Sequence, residues 1–106
     1  MMELTKNADK VLCLIYKAYL KRIKDGSGID QAALFEYDFS KKDKAFAKMD
    51  ESSVRSAIAE LGEAGYIRQY TDGGFLLNRS AVAKMENRFK NGFKELMEFI
   101  GNIPIP

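Results

Sequence analysis

Residues 50–78, DESSVRSAIAELGEAGYIRQYTDGGFLLN, decide the fold, because they read as one capped helix running directly into a β-hairpin. Val54, Ala57, Ile58 and Leu61 recur at i, i+3, i+4 and i+7, which lines four apolar side chains along one helical stripe. Asp50 or Ser52 is placed to accept from the orphan N–H groups of the first turn, and Glu51 sits favourably near the positive end of the helix dipole. Gly65 suits the left-handed conformation that ends a helix, so the helix is predicted to stop near Ala64, with the β-formers Tyr66 and Ile67 following. Asp72-Gly73 between Tyr66–Thr71 and Gly74–Asn78 carries a strong hairpin signal, since it can supply the two positive-φ residues of a type I′ turn. A two-residue loop there places Tyr70 opposite Phe75, Gln69 opposite Leu76 and Ile67 opposite Asn78.

The 106 residues fit a single domain over 1–106, and 46% apolar content is enough for one core. Seventeen basic against fifteen acidic side chains leave a formal charge of +2, well short of the strongly basic balance of an obvious nucleic-acid binder. The start has no basic segment followed by an apolar one, and the longest uncharged apolar run, Val11 to Tyr16, cannot span a bilayer. The expectation is a cytoplasmic protein with no membrane contact. Cys13 is the only cysteine, and its place among Val11, Leu12, Leu14 and Ile15 reads as packing. The chain has no histidine, which removes Ser-His-Asp and Cys-His catalysis and His-based metal sites together.

Thr5 to about Lys24 reads as a first helix, capped by Thr5 or Asn7 and stopped by Gly26-Ser27-Gly28. Leu4, Ala8, Val11, Leu12, Ile15, Tyr19 and Ile23 form its stripe, and Leu14, Tyr16, Ala18 and Leu20 widen it, so the helix should meet more than one neighbour. Its polar side carries Lys6, Lys10, Lys17, Lys21, Arg22 and Lys24, the pattern of a solvated surface. Between residues 29 and 49 the phase is ambiguous. Ile29 can start a strand, Asp30–Phe35 can be a short helix capped by Asp30, and Ser40–Lys48 can be a helical turn capped by Ser40 or an insertion, with Phe46 pointing inward. Residues 79–101 read as one long C-terminal helix, capped by Asn78 or Ser80, ended by Gly101 and about 30 Å in length. Its apolar face, Val82, Met85, Phe89, Phe93, Leu96 and Ile100, exceeds what a small core covers, which points to association through this helix. Ile103 and Ile105 in the tail add apolar groups that can fold back or meet a second subunit.

The run Ala57–Ile67, with Leu61-Gly62 and Gly65-Tyr66-Ile67 as its exit, resembles the recognition-helix end of the winged helix-turn-helix superfamily, and Met85–Gly92 looks like the helix that ends small bacterial and phage members. The resemblance is carried by residues 50–78. It implies a mainly α fold with a small β-hairpin (α+β), with N-terminal and long C-terminal helices around the helix-turn-helix. It also implies a DNA-binding, dimeric transcriptional regulator. On that basis Ser52, Ser53, Arg55 and Ser56 would face the major groove, Arg68 and Arg79 would meet phosphates, and Lys41, Lys42 and Lys44 would add sequence-blind attraction. Dimerisation would run through Phe89, Phe93 and Leu96.

The charge of the same segment opposes that reading. Residues 49–78 hold only Arg55 and Arg68 against Asp50, Glu51, Glu60, Glu63 and Asp72, and the hairpin tip lacks the Arg or Lys that enters a minor groove. The alternative is a protein-interaction module of phage or mobile-element type that binds no DNA. An enzyme is not expected, because Glu60 and Glu63 read as solvated helix charges and no Gly-rich phosphate loop is present. No cofactor or metal is expected.

Overall fold

The computed structural model describes residues 4–101. Seven helices and three strands follow in the order α1 (Lys6–Lys24), α2 (Ile29–Ala32), β1 (Leu34–Phe35), α3 (Phe39–Lys42), α4 (Lys44–Ala47), α5 (Glu51–Glu63), β2 (Ile67–Gln69), β3 (Phe75–Leu77), α6 (Arg79–Arg88) and α7 (Phe93–Gly101). The protein is mainly helical, with a small antiparallel sheet of order β1-β3-β2. The tail residues Ile103 and Ile105 lie outside the described residues.

α1 is the central helix. Thr5 caps it, its Oγ accepting from the Ala8 N–H at 3.2 Å. Ala8, Val11, Leu12, Cys13, Leu14, Ile15, Tyr16 and Tyr19 are buried, so most of its circumference is covered, by α2, α5 and α7 among others. Burial pushes the Cys13 thiol up to about 12, with Asp9 adding to the shift, and this is the signature of a packed, unreactive cysteine.

α5 forms as the spacing predicts. The Asp50 carboxylate accepts from the Ser53 N–H at 3.2 Å, Val54, Ala57 and Leu61 are buried, and Gly65 adopts φ +86° just past the end. The hairpin differs by one residue from the expected register, pairing Ile67 with Leu77, Arg68 with Leu76 and Gln69 with Phe75. Gly73 is positive in φ at +93° and no other residue type is, so Asp72 does not supply the second left-handed position that a type I′ turn needs. A three-residue connection, Thr71 to Gly73, forms instead, closed by the Gly73 N–H on the Tyr70 carbonyl and the Tyr70 N–H on the Gly74 carbonyl. The aromatic partner of Phe75 is therefore not Tyr70 but Phe35 of β1, stacked at 4.9 Å and 8°.

That third strand was not legible at Ile29. Ile29 begins α2 and is 60% exposed, the helix ends at Ala32, and the strand is Leu34–Phe35. Arg22 covers the strand's free edge, donating to the Leu34 carbonyl at 2.8 Å with its guanidinium 4.2 Å above the Phe35 ring. Ser40 is not a cap: α3 begins after Asp38, and Asp43 caps α4 by accepting from the Ala45 N–H at 2.8 Å. Phe46 points inward, edge-on to Phe39 at 5.2 Å.

The single long C-terminal helix is also corrected. It breaks between Phe89 and Gly92, where Gly92 takes φ +77°, and Glu95 accepts from the Asn91 N–H at 3.0 Å as the chain re-enters helix. Arg88 is held just before the break by a two-pronged bond to Asp9 at 2.6 and 2.9 Å. α7 then folds back on α1, and Met85, Phe89 and Leu96 are buried in the chain's own core. These three residues are not an association surface, because the fold-back of α7 enlarges the core that covers them. Val82 and Ile100 are half-buried, and Phe93 alone of the six is exposed.

Candidate nucleic-acid interface

α5 is fastened to α1 along one side. The Asn7 side chain donates to the Ser53 carbonyl at 2.9 Å, and the Glu60 carboxylate accepts from the Thr5 N–H at 2.7 Å and the Thr5 hydroxyl at 2.8 Å. The opposite side, Ser52, Arg55, Ser56 and Ala59, is left exposed.

Of the five acids that count against nucleic acid, four have partners within the chain, while Glu63 stays exposed on the same side as Ser56 and Ala59. Glu60 is turned to α1. Asp50 is occupied as a cap, receiving hydrogen bonds from Ser52 and Ser53 that hold its carboxyl below the usual range. Asp72 accepts from the Gly74 N–H at 2.8 Å within the turn. Glu51 pairs with Arg55 at 3.5 Å, both side chains about three-quarters exposed, and such a pair is easily exchanged for a phosphate. Ser52 and Ser53 spend hydroxyl protons on Asp50, so they serve as capping groups before anything else.

A groove of about 390 Å³ opens between α5, α3 and the hairpin. Arg55 and Lys41 line it together with Glu36, Glu51, Tyr37 and Gln69. The remaining predicted contacts are dispersed. Lys42 is held by Glu36 at 3.2 Å and Asp38 at 3.3 Å, hydrogen bonds that raise its pKa. Lys44 is exposed at the start of α4. Arg68 pairs across the sheet with Leu76, on the same face as Leu34, while Gln69 on the other face lines the groove. Arg79 lies at the start of α6, 3.6 Å from Asp30, at the rim of a second hollow of about 410 Å³ lined by Tyr19, Ile29, Leu76 and Val82.

Tyr37, 74% exposed beside Arg55 and Lys41, was not singled out from the sequence, because it lies in an irregular stretch with no periodicity to mark a face. Among the described residues no group of three or more His, Cys, Asp or Glu side chains is placed to hold a metal ion, and no helix is long and apolar enough to cross a membrane. No protein-family model, no curated protein and no solved structure matches this chain.

Proposed function

We propose that this chain is a winged-helix DNA-binding protein of the regulator type, with α5 as the helix that enters the major groove. The observation that carries the reading is the orientation of α5. Its exposed side offers Arg55, Ser56 and the small Ala59, with Glu63 one turn further on, while Glu60 is drawn away by Thr5. The placement of β1 between α1 and the α3–α5 segment, and its pairing with β3 of the hairpin, agrees with the same architecture. Arg55 would read a base edge and Lys41 and Lys44 would hold the backbone. Lys42 joins them once released from its exposed acid partners. A homodimer would use what α7 leaves exposed, Phe93 and Met97.

The test is fluorescence anisotropy with labelled mixed-sequence duplex at low salt. Binding that weakens steeply with salt, and by about 1–3 kcal/mol in Arg55→Ala, supports the reading. No retention of duplex at low salt contradicts it.

A second reading, a protein-interaction module, rests on a different surface. Ile29 and Leu34 are 60% and 51% exposed on the outer side of the sheet, close to half-buried Leu76 and Val82. An apolar patch of this kind is suited to a protein partner.

A further inference from the structure

The last two helices are one helical pattern that the fold interrupts. Val82, Met85, Phe89, Leu96 and Phe99 keep the three-and-four spacing of a single stripe, with Gly92 at the position between Phe89 and Leu96, and no proline falls in residues 79–101. The chain nevertheless turns back between α6 and α7, over residues 89–92. The turn depends on Gly92, whose φ of +77° is left-handed, while a Cβ there would meet no atom within 4 Å. Backbone conformation, not packing, reserves the position for glycine. Beyond the turn, the nine residues of α7 rest on α1 and bury Leu96 completely. The Phe99 ring lies 4.6 Å from the Arg88 guanidinium and 5.5 Å from the Phe89 ring. α1, Arg88 and Phe89 all come before Gly92, so the seat of α7 is complete without the turn, and α7 of a second copy would remake the same contacts.

We propose that α7 is an exchangeable element: residues 89–92 straighten, α6 and α7 join into one helix over 79–101, and two copies of the chain seat α7 on each other's α1. Two features favour a second copy over an unrelated partner. The face of Leu96 and Phe99 already matches the seat, because it is the face that fills it within one chain. Straightening also uncovers both the seat and the α7 face on each chain, and reciprocal exchange covers all four surfaces at once. The bonds of the turn, from the Gly92 N–H to the Phe89 carbonyl and from the Asn91 N–H to Glu95, give way to the backbone bonds of a continuous helix. Short connections of this kind are where exchange between copies arises. The two-pronged bond from Arg88 to Asp9 precedes the turn and persists in both arrangements. Phe93 and Met97 travel with α7 on its exposed side, so the exchange is compatible with the contact proposed for them above, and it does not depend on DNA binding.

The experiment compares the full-length wild type with Gly92→Ala and Gly92→Asn by sedimentation velocity from micromolar to millimolar concentration. Alanine disfavours the left-handed turn and favours the continuous helix, whereas asparagine tolerates the turn and is a poor helix former. Gly92→Ala should therefore dimerise about a hundredfold more tightly than the wild type, about tenfold for each of the two connections, and Gly92→Asn should stay close to the wild type. Isotopically labelled and unlabelled Gly92→Ala, mixed in equal parts, unfolded and refolded together, should then show nuclear Overhauser contacts from Leu96 of one chain to α1 of the other. A folded Gly92→Ala that associates no more tightly than the wild type overturns the proposal, as does equal tightening by Gly92→Asn. A dimer whose contacts between Leu96 and α1 stay within one chain also overturns it. If Gly92→Ala does not fold, the wild type refolded from urea at millimolar concentration decides: a dimer with contacts between chains supports the exchange, and monomer alone or contacts within one chain overturn it. None of these results bears on duplex binding by α5.

Discussion

The carboxylate of Glu60 accepts two hydrogen bonds from one residue, the backbone N–H and the hydroxyl of Thr5, at 2.7 and 2.8 Å. Thr5 is at the same time the cap of α1, so a single residue starts the central helix and fixes the rotation of α5. Thr5→Ala removes the cap and the hydroxyl bond to Glu60 and leaves the backbone N–H bond in place. It should destabilise the protein by about 1–2 kcal/mol, lowering the thermal midpoint by about 4–8 °C for each kcal/mol, readable by circular dichroism melting.

Arg88 bonds both oxygens of Asp9 and lies 4.6 Å over the Phe99 ring, joining α6, α1 and α7 at the point where the C-terminal segment turns back. Lysine keeps the charge and loses the fork and the stacking. Because both side chains of the pair are about one-third exposed and solvent screens them in part, Arg88→Lys should cost no more than about 1 kcal/mol. Proteolysis should speed up at residues 89–92, the connection that Arg88 holds.

Phe89 is 4% exposed and Phe93 is 41% exposed, although both fall on the same predicted stripe. Phe89→Ala should therefore cost about 3–5 kcal/mol in urea unfolding, while Phe93→Ala should change stability by about 0.5 kcal/mol or less. If the chain self-associates through α7, Phe93→Ala is the variant that should weaken the dimer in sedimentation. Equal destabilisation by both variants would contradict the fold-back of α7.

Burial raises the Cys13 thiol from 9.0 and the Tyr16 phenol from 10.0, each to about 12. The folded state thus holds both protons more tightly than the unfolded state. Their contribution to stability is complete below about pH 9 and is lost as pH rises toward about 12. Urea midpoints should be flat between pH 7 and 8.5 and fall steadily above pH 9, and a thiol reagent at pH 8 should label Cys13 only after unfolding. Labelling at the rate of a free thiol in the native protein would contradict the packing of α1.

Gly74 marks the closest approach of β1 to the hairpin, since a Cβ there would lie 2.7 Å from the Phe35 carbonyl oxygen, a backbone atom. Gly74→Ala should cost about 1–3 kcal/mol and separate β1 from β3. Gly28 has open space around it and no positive φ, so Gly28→Ala is the control that should be tolerated. Amide hydrogen exchange at Phe75 and Leu77 distinguishes the two.

The parts of the fold that local chemistry specifies were legible in the sequence. The Thr5 and Asp50 caps, the stripe of Val54, Ala57 and Leu61, and the Gly65 stop each depend on residues a few positions apart. What was not legible depends on distant partners. The hairpin register is set by Phe75 stacking on Phe35, forty residues earlier, and by a close approach that Gly74 permits. The break after Arg88 depends on Asp9, far along the chain, and β1 has only two residues and no alternation to announce it. Of the candidate site, Arg55 and Lys41 are brought to one groove, while Arg68 and Arg79 lie elsewhere. The sequence showed Glu60 as a repelling charge on the α5 surface, because its bond to Thr5 spans fifty-five residues.

The most direct test of α5 as the DNA-facing helix is an NMR titration of the labelled protein with mixed-sequence duplex at low salt. Amide shifts should concentrate at Ser52, Arg55, Ser56 and Ala59, with smaller changes at Lys41. Saturating binding that leaves the α5 amides unmoved, or shifts confined to Ile29, Leu34 and Leu76, would contradict it.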